Sequence, residues 1–102
     1  MKILLSCSGG MSSSLIAESL QDAGKKRGLD LSVKATGTEE VADDLNADHY
    51  DIVLLAPQAV YRKSAVQAAS NDANVKFMMI PRDCYNPIAS NKLLNLVEKE
   101  LQ

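Results

Sequence analysis

The sequence predicts an α/β fold: a three-layer sandwich in which a four-stranded parallel sheet, ordered 2-1-3-4, carries helices on both faces. Three observations lead there. Four short runs rich in apolar residues, at Lys2–Ser6, Leu31–Thr36, Asp51–Leu55 and Val75–Ile80, alternate with four segments of helical periodicity. The connections are short, without repeats or low-complexity tracts, so the strands join by right-handed crossovers with helices covering the sheet. The chain of 102 residues suits one core, so residues 1–102 are read as a single domain.

Lys2–Ser6 is short and apolar, as burial on both sheet faces requires. The first helix follows a Ser/Gly run, with Ser12 or Ser13 as its cap and Ile16, Leu20 and Ala23 on its inner face. Glu18 lies early in it and Lys25, Lys26 and Arg27 lie at its end, both matched to the helix dipole; Gly28 stops it. Leu31, Val33 and Ala35 alternate with Ser32, Lys34 and Thr36, the pattern of an edge strand with one wetter face. Thr38-Glu39-Glu40 opens the second helix, with Val41 and Leu45 inward. Asp43, Asp44 and Asp48 lack metal-ligand spacing and are read as a solvated face.

His49, the one histidine, precedes the third strand and is read as a surface residue at the far end of the sheet from the strand C-termini. Ile52-Val53-Leu54-Leu55 is the most apolar run and is expected at the centre. A third helix is expected from about Ala59 to Ser70, with Tyr61, Ala65 and Ala69 at helical spacing, followed by a turn over residues 71–74. After the fourth strand and a loop at residues 81–87, a helix from about Ile88 to Leu101 turns Leu94, Val97 and Leu101 inward.

The chemistry gathers where the first strand meets the first helix, in Ser6-Cys7-Ser8-Gly9-Gly10-Met11-Ser12-Ser13-Ser14. Unpaired N–H groups at a helix start face whatever lies in front of them, and the dipole favours a negative charge there. Gly9 and Gly10 let backbone approach closely, and the serines add hydroxyls. A phosphoryl group fits such a cup, with the Cys7 thiol at its edge, where the same field favours the nucleophilic thiolate. The plainer alternative is a buried cysteine before an ordinary turn. In the 2-1-3-4 order, the loops carrying Cys7, Pro57-Gln58 and Arg82–Tyr85 leave one edge beside the switch point between strands one and three, and this convergence favours a site.

Composition narrows the classes. A net charge of −2 and only four aromatic residues argue against nucleic acid as a partner. The N-terminal apolar run is too short for a signal peptide or a membrane span, which points to the cytoplasm. Two cysteines and one histidine without ligand spacing point to free thiols and to no metal. No cofactor is indicated, and singly amphipathic helices demand nothing beyond a monomer.

Two segments carry a family resemblance that extends over essentially the whole chain: Leu5–Leu15, around Cys7, and Leu54-Leu55-Ala56-Pro57-Gln58-Ala59-Val60-Tyr61. They are similar to the cysteine loop, and to the segment after strand three, of the IIB components of the lactose/cellobiose (N,N′-diacetylchitobiose) branch of the bacterial phosphoenolpyruvate-dependent sugar phosphotransferase system. The loop at residues 82–86 is less family-like, with Asn86 where a glycine is often found. The resemblance implies that Cys7 accepts a phosphoryl group from a phosphohistidine on a IIA protein. The group then passes to a sugar held by the membrane component IIC. By the same resemblance, Ser8, Gly9, Gly10, Met11, Ser12 and Ser13 cradle the phosphoryl oxygens. The rim around the loop is the expected partner surface, with Met11, Pro57, Gln58, Tyr61 and Tyr85 as candidates; for Tyr61, packing in the core is an equal alternative.

Two other classes are weighed. A low-molecular-weight thiol phosphatase or arsenate reductase resembles this layout, but its loop reads Cys-x5-Arg, and the arginine position here is Ser13. Without a guanidinium fork, transition-state charge is far less stabilised. Asp83 echoes the general acid of such enzymes and is read here as a turn residue. A binding module without chemistry at Cys7 is the other class; a receiver would need carboxylates after strand one, and Ser6-Cys7-Ser8 offers none.

Overall fold

The computed structural model describes residues 1–8 and 11–102, with Met11 and Ser12 described in the backbone only. Its order is β1 (Lys2–Cys7), α1 (Met11–Lys26), β2 (Ser32–Gly37), α2 (Val41–Ala47), β3 (Ile52–Leu55), α3 (Lys63–Asp72), β4 (Lys76–Met79) and α4 (Ser90–Leu101). Short 3-10 turns precede α2 at Thr38–Glu40, α3 at Pro57–Arg62, and α4 at Arg82–Cys84 and Pro87–Ala89. The sheet runs β2-β1-β3-β4 with every pair parallel, the order and sense expected from the sequence.

Strand side chains alternate between faces, so the two central strands feed two cores. Ile3, Leu5, Ile52 and Leu54 pack against Ile16 and Leu20 of α1 and Leu93, Leu94 and Val97 of α4. Leu4, Val53 and Leu55 pack against Val41 of α2 and Val66 of α3 on the opposite face. Fully burying one such side chain contributes about 1.5–3 kcal/mol. Gly28, at φ 73°, ends α1: Gly28 N–H donates to the Lys25 carbonyl at 3.0 Å and Leu29 N–H to the Gly24 carbonyl at 2.9 Å. That left-handed closure suits glycine. Gly24 is needed for space, since a Cβ there would lie 2.6 Å from Leu31 Cδ2.

Four local expectations are corrected. Helix α1 begins at Met11, so Ser12 and Ser13 are its second and third residues and not its cap. Thr36 is buried, not on a wet face, because its hydroxyl donates to Asp44 Oδ2 at 2.6 Å. Asp44 also accepts from Lys34 Nζ at 2.8 Å and its side chain is only 13% exposed, so it leaves the solvated face on which Asp43 and Asp48 remain.

The third correction concerns the chain after β3. Pro57 sets a 3-10 turn with a break at Ala59 (φ −102°, ψ 24°), and α3 starts only at Lys63. The break resets the helical phase: Ala59, Val66 and Ser70 face the core, while Tyr61 and Ala65 face outward. The Ser70 hydroxyl is accommodated there by donating to the Val66 carbonyl at 2.9 Å. Fourth, α4 begins at Ser90, after a turn in which Asn86 Oδ1 accepts from Ala89 N–H at 2.9 Å. Ile88 is therefore outside the helix and almost fully exposed. His49 lies where expected, on the surface ahead of β3, with its imidazole 3.5 Å from Asp51.

Candidate functional site

Parallel strands deliver all their C-termini to one edge. Cys7 is the last residue of β1 and pairs with Gly37, the last of β2. The same edge is tied across to β3 by Ala56 N–H donating to the Ser6 carbonyl at 2.9 Å, and on to β4 by Ile80 N–H donating to the Leu55 carbonyl at 2.9 Å. The Ser6 hydroxyl, fully buried, donates to the Leu54 carbonyl at 2.8 Å and fixes β1 to β3 just before the cysteine. Ser8, Thr38, Pro57 and Pro81 thus leave the sheet side by side.

In the alternation of β1, Cys7 shares a face with Ile3 and Leu5, the side covered by α1 and α4. Its neighbour Gly37 shares that face, and a Cβ placed on Gly37 would meet nothing within 4 Å among the described residues. A pocket of about 140 Å³ opens beside it, lined by Ser8, Gly37, Thr38, Glu39 and Glu40. The cysteine itself is 2% exposed, so its sulfur is covered in this state and not presented on an open rim.

Behind Cys7 stands the N-terminus of α1. Helical N–H groups of the first turn lack intrahelical acceptors, and no acidic residue in that turn offsets the positive end of the dipole. Ser13 is wholly buried in that turn, Ser14 is exposed, and Ser8 is exposed at the strand end. Gly9 and Gly10 lie outside the described residues, as do the side chains of Met11 and Ser12.

The rim candidates separate. Pro57 is half-buried and Gln58 exposed at the start of the turn after β3, and Tyr61 on the same turn is 72% exposed. Tyr85 instead packs in part against the α1/α4 core. Its neighbour Cys84 is fully buried, and both cysteines are thiols, not a disulfide. Burial, then the charge of Asp83, pushes the Cys84 thiol above its ordinary 9.0. Asp83 sits in a 3-10 turn, where the hydrogen bond and charge of Lys92 hold its carboxyl below the ordinary 3.8. Asp83 is thus engaged by Lys92 within that turn.

Thr38, Glu39 and Glu40 were legible only as a helix start, yet they line a pocket with Ser8 and Gly37. The signal was available in the strand order, which places the end of β2 next to Cys7. Among the described residues, no group of three or more His, Cys, Asp or Glu side chains is arranged to hold a metal, and no helix is long and apolar enough to cross a membrane.

Comparison with known proteins places this geometry. Residues 2–92 match the family model described as "PTS system, Lactose/Cellobiose specific IIB subunit". The oligo-beta-mannoside-specific EIIB component of Bacillus subtilis is 31% identical over 84 residues, covering 82% of this chain and 80% of that protein. The galactose-specific EIIB component of Lactococcus lactis subsp. cremoris is 29% identical over 99 residues, covering 94% and 92%. In structure, the lactose-specific IIB domain of Streptococcus pneumoniae superposes with a TM-score of 0.86 at 17% identity, over 100% of this chain and 98% of that one. The cellobiose-specific IIB protein of Borrelia burgdorferi superposes with a TM-score of 0.77 at 24% identity, over 99% and 91%. These likenesses of fold agree with the parallel 2-1-3-4 sheet.

Proposed function

The chain belongs to the lactose/cellobiose-specific IIB family of the phosphotransferase system, and from that premise we propose that Cys7 is its phosphoryl carrier. The observation that carries this reading is the placement of Cys7 at the last residue of β1, backed by the N-terminus of α1 and flanked by the space over Gly37.

The Cys7 thiolate attacks the phosphorus of a phosphohistidine on a IIA protein. The S–P bond forms as the N–P bond breaks, and the electron pair returns to the imidazole. A sugar hydroxyl then attacks the same phosphorus within the membrane component IIC. The S–P bond breaks and the thiolate is restored. Such transfer needs in-line placement and charge stabilisation more than covalent work by side chains. Backbone N–H groups over residues 8–13, with the Ser8 and Ser13 hydroxyls nearby, hold the equatorial oxygens. Transfer proceeds from a state in which the covered sulfur is exposed to the donor. Pro57 and Gln58 form the partner rim, Tyr85 adding only its outward part.

The carrier must keep its phosphoryl group from water. Ser13 stands where a hydrolytic enzyme of this layout has its arginine, and the Asp83 carboxylate is engaged by Lys92. Both features favour holding over hydrolysis. The sugar is of the lactose/cellobiose class, selected by IIC, and the protein works at the cytoplasmic face of the membrane.

The test is mass spectrometry after incubation with phosphorylated IIA. An alkali-stable, iodine-labile phosphate on the Cys7 peptide, lost in Cys7→Ser, is expected. Phosphate on another residue, or rapid turnover of an aryl phosphate, overturns the reading.

A further inference from the structure

The pocket lined by Ser8, Gly37, Thr38, Glu39 and Glu40 gathers oxygen acceptors at the end of β2, against the residue that follows the cysteine. Glu39 and Glu40 form no ion pair among the described residues; Glu40 accepts only a long 3.4 Å hydrogen bond from Thr36. Thr38 is nine-tenths buried, lines the pocket, and its hydroxyl takes part in no hydrogen bond among the described residues. A dianion would be repelled by the two carboxylates. An N–H-rich cation would satisfy them and the unused hydroxyl together.

No lysine or arginine lines this pocket among the described residues. The first basic residue after Cys7 is Lys25, ~21 Å along α1 from its start. Lys34 on β2 is taken by Asp44. Arg62 and Arg82 follow β3 and β4, on the other side of β1 from the pocket, and neither lines it.

We propose that this pocket is a socket for a lysine or arginine side chain of the phosphoryl-donor protein, which brings the missing positive charge beside the Cys7 sulfur when the two proteins meet. The proposal rests on the carrier reading of Cys7. The carboxylates seat the cation, and its remaining N–H groups face the phosphoryl oxygens during transfer, as a cation supplied in trans does in other phosphoryl transfers. A divalent metal is the weaker occupant, since only two carboxylates line the space.

Single-turnover phosphorylation of this chain by a phosphorylated IIA protein of the family tests it. The double variant E39Q/E40Q should slow labelling of Cys7 about tenfold and flatten its salt dependence, while its circular dichroism matches the wild type. Scanning the donor's lysines and arginines to alanine should find one whose loss is not additive with E39Q/E40Q. A wild-type chain that takes no phosphoryl group overturns the carrier reading and this proposal with it. A phosphorylated wild type whose double variant keeps rate and salt dependence overturns this proposal alone, as does a wild-type rate that collapses on adding EDTA.

Discussion

Cys7 and Gly37 end adjacent parallel strands as paired residues, and a Cβ placed on Gly37 would meet nothing within 4 Å among the described residues. The backbone of Gly37, at φ −80° and ψ 152°, is extended and accepts any residue. Gly37→Val should therefore leave the fold intact and raise stability by up to about 1 kcal/mol, since a β-branched residue replaces glycine in a strand. It should also slow phosphorylation of Cys7, because the isopropyl group fills the approach. Urea unfolding and donor-dependent labelling read the two effects separately.

Asp83 offers a sharper division between carrier and hydrolase. Were it a general acid, Asp83→Asn would cost about 100-fold or more in transfer. With its carboxylate held by Lys92 in an exposed turn, the variant should phosphorylate at the wild-type rate and lose little stability. A large loss of rate would return this residue to the chemistry.

The Thr36–Asp44–Lys34 cluster makes a pH-dependent contribution at the edge strand. Burial raises the Asp44 pKa, but the Lys34 hydrogen bond and the Thr36 hydroxyl outweigh it and leave the carboxyl below its ordinary 3.8. A depressed carboxylate stabilises above its unfolded value, and that stability is lost as pH falls through the folded value. Asp44→Asn should thus be less stable than wild type at neutral pH. The gap should close once pH drops below 3.8. Lys34, raised above 10.5 by the same partner, loses its share only in strong alkali. Denaturation of both proteins across the acid range checks the closing gap.

The topology was legible because it follows from local signals that agree: four apolar runs, four amphipathic segments and short connections. The place of Cys7, at the end of the first strand and ahead of a helix, was legible for the same reason. What escaped was set by contacts between elements. Nothing in Thr36 or Asp44 alone reveals that a hydroxyl and a carboxylate from neighbouring elements will bury each other. The phase of α3 was misread because one break at Ala59 shifts every later residue around the axis. Thr38, Glu39 and Glu40 gained their place only when strand order set them against Ser8.

Both thiols are covered, Cys7 to 2% and Cys84 to 0% exposure, but their surroundings differ. Cys84 belongs to the core beneath α1 and α4, and burial raises its pKa. Reaching it requires the α1/α4 layer to come apart. Cys7 ends a strand, where local opening costs less than global unfolding. In native buffer, iodoacetamide should label Cys7 at least about tenfold faster than Cys84. Urea below the unfolding transition should accelerate labelling of Cys84 more than of Cys7. A carrier must present its sulfur to two partners in turn without unfolding. Equal resistance of the two thiols would mean that the sheet edge does not open on its own, and that no donor could reach the sulfur of the folded protein.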